Sequence, residues 1–224
     1  MSKHLKLGLV SLLSLAATLF NPWFWRISSS SIILALIILT AAIVLSAALT
    51  FRYQKLFILA SVILIGLSIY LVVFDFDRNL LTSSGIEKAA LETRVSYYPH
   101  HLGKILHNNY TLTAYKIERN FITNLSFSQF FFDGKPRLRG YAYDYPKLTP
   151  SYLAFFILGV IFIYPMRVSR IYVALVFIVL LILSLFNPNS GLGPIPLLSM
   201  IVATSVNGLV RSLSILAKYF NINA

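Results

Sequence analysis

The sequence predicts an all-α integral membrane protein of about six transmembrane helices, with an α-rich extracytoplasmic insertion between the third and the fourth. Three observations carry this. Of the 224 residues only 12% are charged and 58% are hydrophobic, against roughly 25% charged in a soluble domain. The apolar residues fall in long runs, and a bilayer core of about 30 Å needs about 20 mainly apolar residues per helix. All seven acidic residues lie in one interval, between Asp75 and Asp144. The same figures exclude a water-soluble globular domain, and they exclude disorder, which needs low hydrophobicity. The absence of cysteine excludes a disulfide framework, a thiolate metal site and a cysteine nucleophile.

The runs fall in order near Leu5–Phe24, Ser31–Phe51 and Leu56–Phe74, then near Tyr152–Met166, Ile171–Phe186 and Ile195–Leu216. The second and third are uncharged throughout. The first follows Lys3 and Lys6, as a secretory signal peptide would, but no small-x-small cleavage pattern closes it. The following Asn21-Pro22-Trp23-Phe24-Trp25-Arg26 reads as an interfacial aromatic anchor, so the run is expected to stay as a membrane helix. The fourth run is short and ends at Tyr164-Pro165; the sixth contains Asn207 and Arg211.

Charge placement orients the spans. Lys3, Lys6, Arg52, Lys55, Arg167, Arg170 and Lys218 fall on alternate connections, which the positive-inside rule puts in the cytoplasm. The opposite short loops hold only Arg26. Both termini are therefore expected inside, with residues 75–150 outside, between membrane segments 1–74 and 151–224. That outer segment holds ten of the nineteen basic residues beside its seven acidic ones. Most of the +12 net charge is thus topological, and nucleic acid is not an expected partner; the bilayer is.

Within the insertion, Ser84 and Glu87 have the spacing of a capping box and start a short helix that ends before Pro99. A second helix is expected from Pro99 through Leu125, with a possible interruption at Asn108-Asn109. After Leu125 the chain turns aromatic. Phe130-Phe131-Phe132 reads as a short buried strand or an interfacial wedge, followed by a turn at Asp133-Gly134.

One run carries a resemblance. His107, Asn108, Tyr110, Asn120, Phe121, Asn124, Leu125, Ser126, Phe130, Phe132, Gly134, Pro136, Arg137 and Arg139 stand at the positions of its pattern. The run His107–Arg139 resembles an extracytoplasmic segment of small, uncharacterised polytopic membrane proteins of candidate-phylum bacteria. Dolichyl-phosphate-mannose-type membrane glycosyltransferases and membrane-anchored sulfatase-like proteins share it. The resemblance implies an extracytoplasmic location rather than an activity. Those glycosyltransferases are longer and carry a catalytic acidic residue in their first external loop, whereas residues 21–30 here contain none. The sulfatase-like proteins need a metal-binding domain that this chain does not contain. The small polytopic proteins are the better likeness.

Four groups of residues have chemistry to weigh. Asp75 and Asp77 form a D-x-D pattern at the outer mouth of the third span, where two carboxylates can hold a divalent cation against a phosphate leaving group. Their plain reading is that charge stops a span at the water boundary. His100, His101 and His107 lack zinc-ligand spacing and read as solvated or interfacial, so no metal centre and no cofactor are expected. Lys135, Arg137 and Arg139 make a basic turn among aromatics, suited to anionic lipid or polyprenyl-phosphate, or simply to anchoring a loop at the membrane surface. Asn207 and Arg211 are polar residues at membrane depth, one helical turn apart, where such residues face a partner helix or a cavity. With no acidic residue in any span, a proton-coupled transporter is disfavoured. The expected function is a non-catalytic scaffold or accessory subunit of cell-envelope assembly, in contact with other membrane subunits. The alternative is a reduced glycosyltransferase-like enzyme using Asp75 and Asp77 on a polyprenyl-phosphate-linked sugar.

Overall fold

The structure, a computed structural model, describes residues 3–99, 102, 103, 105, 108–125, 128–131, 148, 150–166, 169–186 and 194–219. The helices are α1 (Lys3–Leu19), α2 (Pro22–Ser30), α3 (Ile32–Phe51), α4 (Gln54–Phe74), α5 (Gly85–Ser96), α6 (Asn109–Leu125), α7 (Ser128–Phe131), α8 (Pro150–Ile163), α9 (Ser169–Leu183) and α10 (Ile195–Tyr219). A single 3-10 turn covers Arg78–Leu80. Among the described residues no strand forms; Phe76 and Phe186 make an isolated antiparallel bridge.

Three helices, α3, α4 and α10, are long and apolar enough to cross a membrane, and α1 with α2 makes a fourth if the bent pair counts as one span. α8 and α9 are apolar but have 14 and 15 residues, fewer than the roughly 20 of a full crossing. Among the described residues there are therefore three or four candidate membrane spans.

The first apolar run, expected as one span, is divided. The axes of α1 and α2 differ by 75°. Pro22 has no N–H to give to the preceding turn, and its ring drives Asn21 out of the helical region. Asn21 is accordingly extended (φ −93°, ψ 122°), and its side chain accepts the Trp23 N–H at 2.8 Å, which starts α2. The Trp25 indole N–H donates to the Leu19 carbonyl at 2.7 Å, closing the end of α1. The aromatic anchor is thus a helix of its own, with Trp23, Phe24 and Ile27 buried.

The chain divides into two compact units. The first comprises Met1–Leu67, Ser126–Val179 and Pro194–Ala224; the second comprises Ser68–Leu125 and Leu180–Gly193. In the first unit α10 is the central element. Every residue from Ile195 to Gly208 is buried, the signature of a helix surrounded on all sides. It packs against α3, α8 and α1. Its approach to α8 depends on two glycines. A Cβ at Gly159 would meet the Thr204 carbonyl, and one at Gly208 would meet the Phe155 carbonyl and, at 2.6 Å, the Gly159 nitrogen. Small residues permit such close backbone packing where the surrounding lipid supplies no hydrophobic drive between helices.

Hydroxyl groups add ties. Ser199 Oγ donates to the Ile38 carbonyl of α3 at 2.9 Å. Thr204 Oγ1 donates to the Met200 carbonyl at 2.8 Å, so the Tyr172 hydroxyl, 2.6 Å away, is the donor to Thr204. The Phe130-Phe131 pair is helical rather than a strand. It forms the end of α7, where both rings are buried, against Trp23 (6.1 Å between centroids) and Phe156 (6.0 Å) respectively. Phe132 and the Asp133-Gly134 turn lie outside the described residues.

Gly208→Ala is expected to destabilise the first unit by about 1–3 kcal/mol, because the added methyl meets backbone that cannot rotate away. Gly66→Ala, with nothing within 4 Å of its Cβ, is expected to leave stability unchanged or raised. Thermal unfolding of the two variants in one neutral detergent checks the contrast.

Candidate functional sites

Asp77 lies in the second unit, just past the end of α4, and is 5% exposed. Each of its carboxylate oxygens already accepts a hydrogen bond. Oδ1 takes the Asn79 N–H at 3.1 Å and caps the 3-10 turn; Oδ2 takes the Asn120 amide at 3.1 Å. Its own N–H donates to the Leu185 carbonyl at 3.0 Å. Asp75 is half-buried at the end of α4, with its N–H bonded to Leu71. The D-x-D pair is thus split in role: both Asp77 oxygens are taken up by the chain's own donors, one backbone and one side-chain.

Asn120 belongs to a stripe along α6. At intervals that bring them to one face of the helix, Thr113, Lys116, Asn120 and Asn124 each donate to a carbonyl of another segment. Thr113 reaches Leu80 (3.0 Å). The Lys116 ammonium reaches the carbonyls of Asn79 (2.9 Å) and Thr82 (2.7 Å) and the Glu87 carboxylate (3.0 Å). Asn120 adds the Ser184 carbonyl (3.1 Å), and Asn124 reaches the Leu183 carbonyl (3.1 Å). Leu183 and Ser184 lie where α9 ends and its carbonyls lack intrahelical partners, so the two asparagines cap that end from the side. Both are among the residues that carry the resemblance, and both are buried. Residue-by-residue reading missed this stripe. The available signal was two asparagines four residues apart, on the face that also carries Thr113 and Lys116.

The expected capping box is present: Ser84 Oγ accepts the Glu87 N–H at 3.2 Å, and Glu87 accepts the Ser84 N–H at 2.8 Å. The Ser84 N–H, then the Lys116 ammonium, hold the Glu87 carboxyl below the usual glutamate range. The expected interruption of the second helix is present at Asn108, whose side chain accepts the Thr111 N–H at 2.9 Å to start α6.

In the first unit, Asn207 and Arg211 come together as their spacing implies. The Arg211 Nε donates to Asn207 Oδ1 at 3.0 Å. Asn207 is fully buried, and its Nδ2 has no partner among the described residues. Lys135, Arg137, Arg139 and the three insertion histidines, His100, His101 and His107, lie outside the described residues. Among the described residues no group of three or more His, Asp or Glu side chains is placed to hold a metal ion.

No protein-family model, curated protein or solved structure matches this chain. The reading of function therefore rests on the chain's own residues.

Asn120→Ala leaves the Asp77 carboxylate and the Ser184 carbonyl without a shared donor and is expected to destabilise the second unit by about 1–3 kcal/mol. Asp77→Asn sets two amide groups against each other and is expected to act in the same direction. Thermal unfolding measures both. A depressed carboxyl contributes stability that is complete above the ordinary glutamate range and is lost as pH falls through its folded value. The start of α5 is therefore expected to loosen in acid. The Ser84 amide resonance should titrate in the wild type and stay flat in Glu87→Gln.

Proposed function

We propose that this chain is a non-catalytic scaffold or accessory subunit of cell-envelope assembly, held in the plasma membrane by six helical crossings. Both termini are cytoplasmic and residues 75–150 are extracytoplasmic. In this topology the bent α1–α2 pair begins the series, and the shorter α8 and α9 cross where the bilayer thins to meet them.

Two observations support the topology. Basic residues alternate between connections as the positive-inside rule requires. The bond between Ser199 and Ile38, with Phe57 just past α3 packed on Tyr172 and Tyr172 bonded to Thr204 further along α10, makes α3 and α10 parallel neighbours. The second and sixth crossings of such a protein run in the same direction.

The observation that carries the non-catalytic reading is the state of Asp77. A carboxylate that is to hold a cation against a sugar phosphate needs free oxygens facing a cleft. Both Asp77 oxygens instead accept bonds from Asn79 and Asn120. On this reading Asp77 fastens the insertion, while the basic turn of Lys135, Arg137 and Arg139 provides its contact with anionic lipid or polyprenyl-phosphate. Partner subunits meet the exposed faces of α5 and α6, where Ile86, Tyr110 and Ile122 are open to solvent.

The test is a titration of the purified full chain, in neutral detergent, with polyprenyl-phosphate and polyprenyl-phosphate-sugar. The scaffold reading expects saturable binding that Arg137→Ala/Arg139→Ala weakens at least tenfold. Asp75→Asn/Asp77→Asn should lower the unfolding temperature yet keep the affinity. Loss of binding in both double variants, together with release of sugar by the wild type, would replace the scaffold with the glycosyltransferase-like alternative.

A further inference from the structure

Arg211 is half-buried on α10, and of its five N–H donors only Nε has a partner among the described residues, the Asn207 carbonyl oxygen. Among the described residues no helix of the first unit carries an acidic residue to neutralise it. Instead a second guanidinium, that of Arg52, lies close enough to oppose its charge. A half-desolvated guanidinium with a second like charge near it is unfavourable unless an anion joins them.

Three further features point the same way. The Asn207 Nδ2 and the Thr50 hydroxyl are buried with no partner among the described residues. Thr50 and Arg211 lie equally far along α3 and α10 from the Ile38–Ser199 bond, so they share one level of the parallel pair. Buried donors left unbonded cost about 1–3 kcal/mol each, a cost that an acceptor at this level removes. Finally, Arg52 ends α3 in the left-handed conformation, φ 60° and ψ 33°, and is the sole non-glycine residue so placed among the described residues. Glycine adopts that conformation without the penalty of roughly 1–2 kcal/mol that a Cβ brings. The chain carries an arginine there all the same.

We propose that Arg52, Arg211, Asn207 and Thr50 form a site for a phosphate group, and that the phosphate is the head group of an anionic lipid at the end of the α3–α10 pair. A phosphodiester offers several acceptor oxygens and one negative charge, which matches two guanidinium groups with two neutral donors. Arg52 ends the apolar helix α3, so the site stands at the level where a span meets the head groups. In the proposed topology this end is cytoplasmic. The site is distinct from the outer basic turn.

The experiment uses the full chain in neutral detergent, carrying Lys135→Ala/Arg137→Ala/Arg139→Ala so that the outer turn contributes nothing. Native mass spectrometry and thermal unfolding follow titration with phosphatidylglycerol, phosphatidylcholine and inorganic phosphate in separate arms. Phosphatidylglycerol is expected to bind at least tenfold more tightly than phosphatidylcholine, and Arg211→Gln is expected to abolish the difference. Arg52→Gly should weaken phosphatidylglycerol at least fivefold while leaving the unfolding temperature of the lipid-free protein unchanged or raised, since glycine suits that backbone position. This variant keeps the test decisive if Arg211→Gln does not fold. Inorganic phosphate acting as strongly as the lipid would overturn the lipid source and keep the phosphate site. Equal binding of the two lipids, or full phosphatidylglycerol binding by Arg52→Gly, overturns the proposal.

Discussion

The close backbone approach of α8 and α10 is the contact on which the first unit depends. Inside a bilayer, burying a leucine against another helix gains little over leaving it in lipid, so cohesion must come from dispersion contacts at short range and from satisfied polar groups. Gly159 and Gly208 supply the first, since neither leaves room for a side chain between the two helices. Ser199, Thr204 and Tyr172 supply the second, each hydroxyl reaching an acceptor within α10 or on α3. With its neighbours this close, α10 is buried on every side from Ile195 to Gly208.

The second unit solves a different problem by different means. Its polypeptide leaves two apolar helices and must find donors for the carbonyls released where they end. α6 brings these donors on one face, as a threonine, a lysine and two asparagines, and Asp77 joins the arrangement as acceptor for one of the asparagines. Side chains that look like the makings of a binding site are here the means by which backbone is satisfied. The first unit shows the reverse. Its polar atoms at Asn207 and Thr50 keep unused capacity, and among the described residues no acid pairs with Arg211 there.

Much of this was legible in the chain itself. Helical class, apolar runs, the Ser84–Glu87 box and the interruption at Asn108 all follow from local rules, and local rules hold wherever neighbours in sequence are also neighbours in space. The Asn207–Arg211 pair was legible for the same reason, being one turn of a single helix. What could not be read was anything set by two distant segments. Pro22 is favourable both as a span terminator and as the first residue of a new helix, and only the position of Asn21 shows that it does both. Phe130 and Phe131 are strand formers by preference, but burial against Trp23 and Phe156 decides their conformation. Asp77 looks like half of a metal-binding pair until Asn120, far along the chain, is seen to occupy it.

The burial of α10 has a consequence for biosynthesis. The helix around which the first unit packs follows its neighbours α1, α3 and α8 in the chain, so they are made before the surface they are shaped for exists. During that interval the Thr204 and Phe155 contacts are unmade and the Gly159 face of α8 is bare. Assembly of this unit therefore cannot proceed helix by helix as the ribosome delivers them. It must wait for α10 and then close around it in one cooperative step.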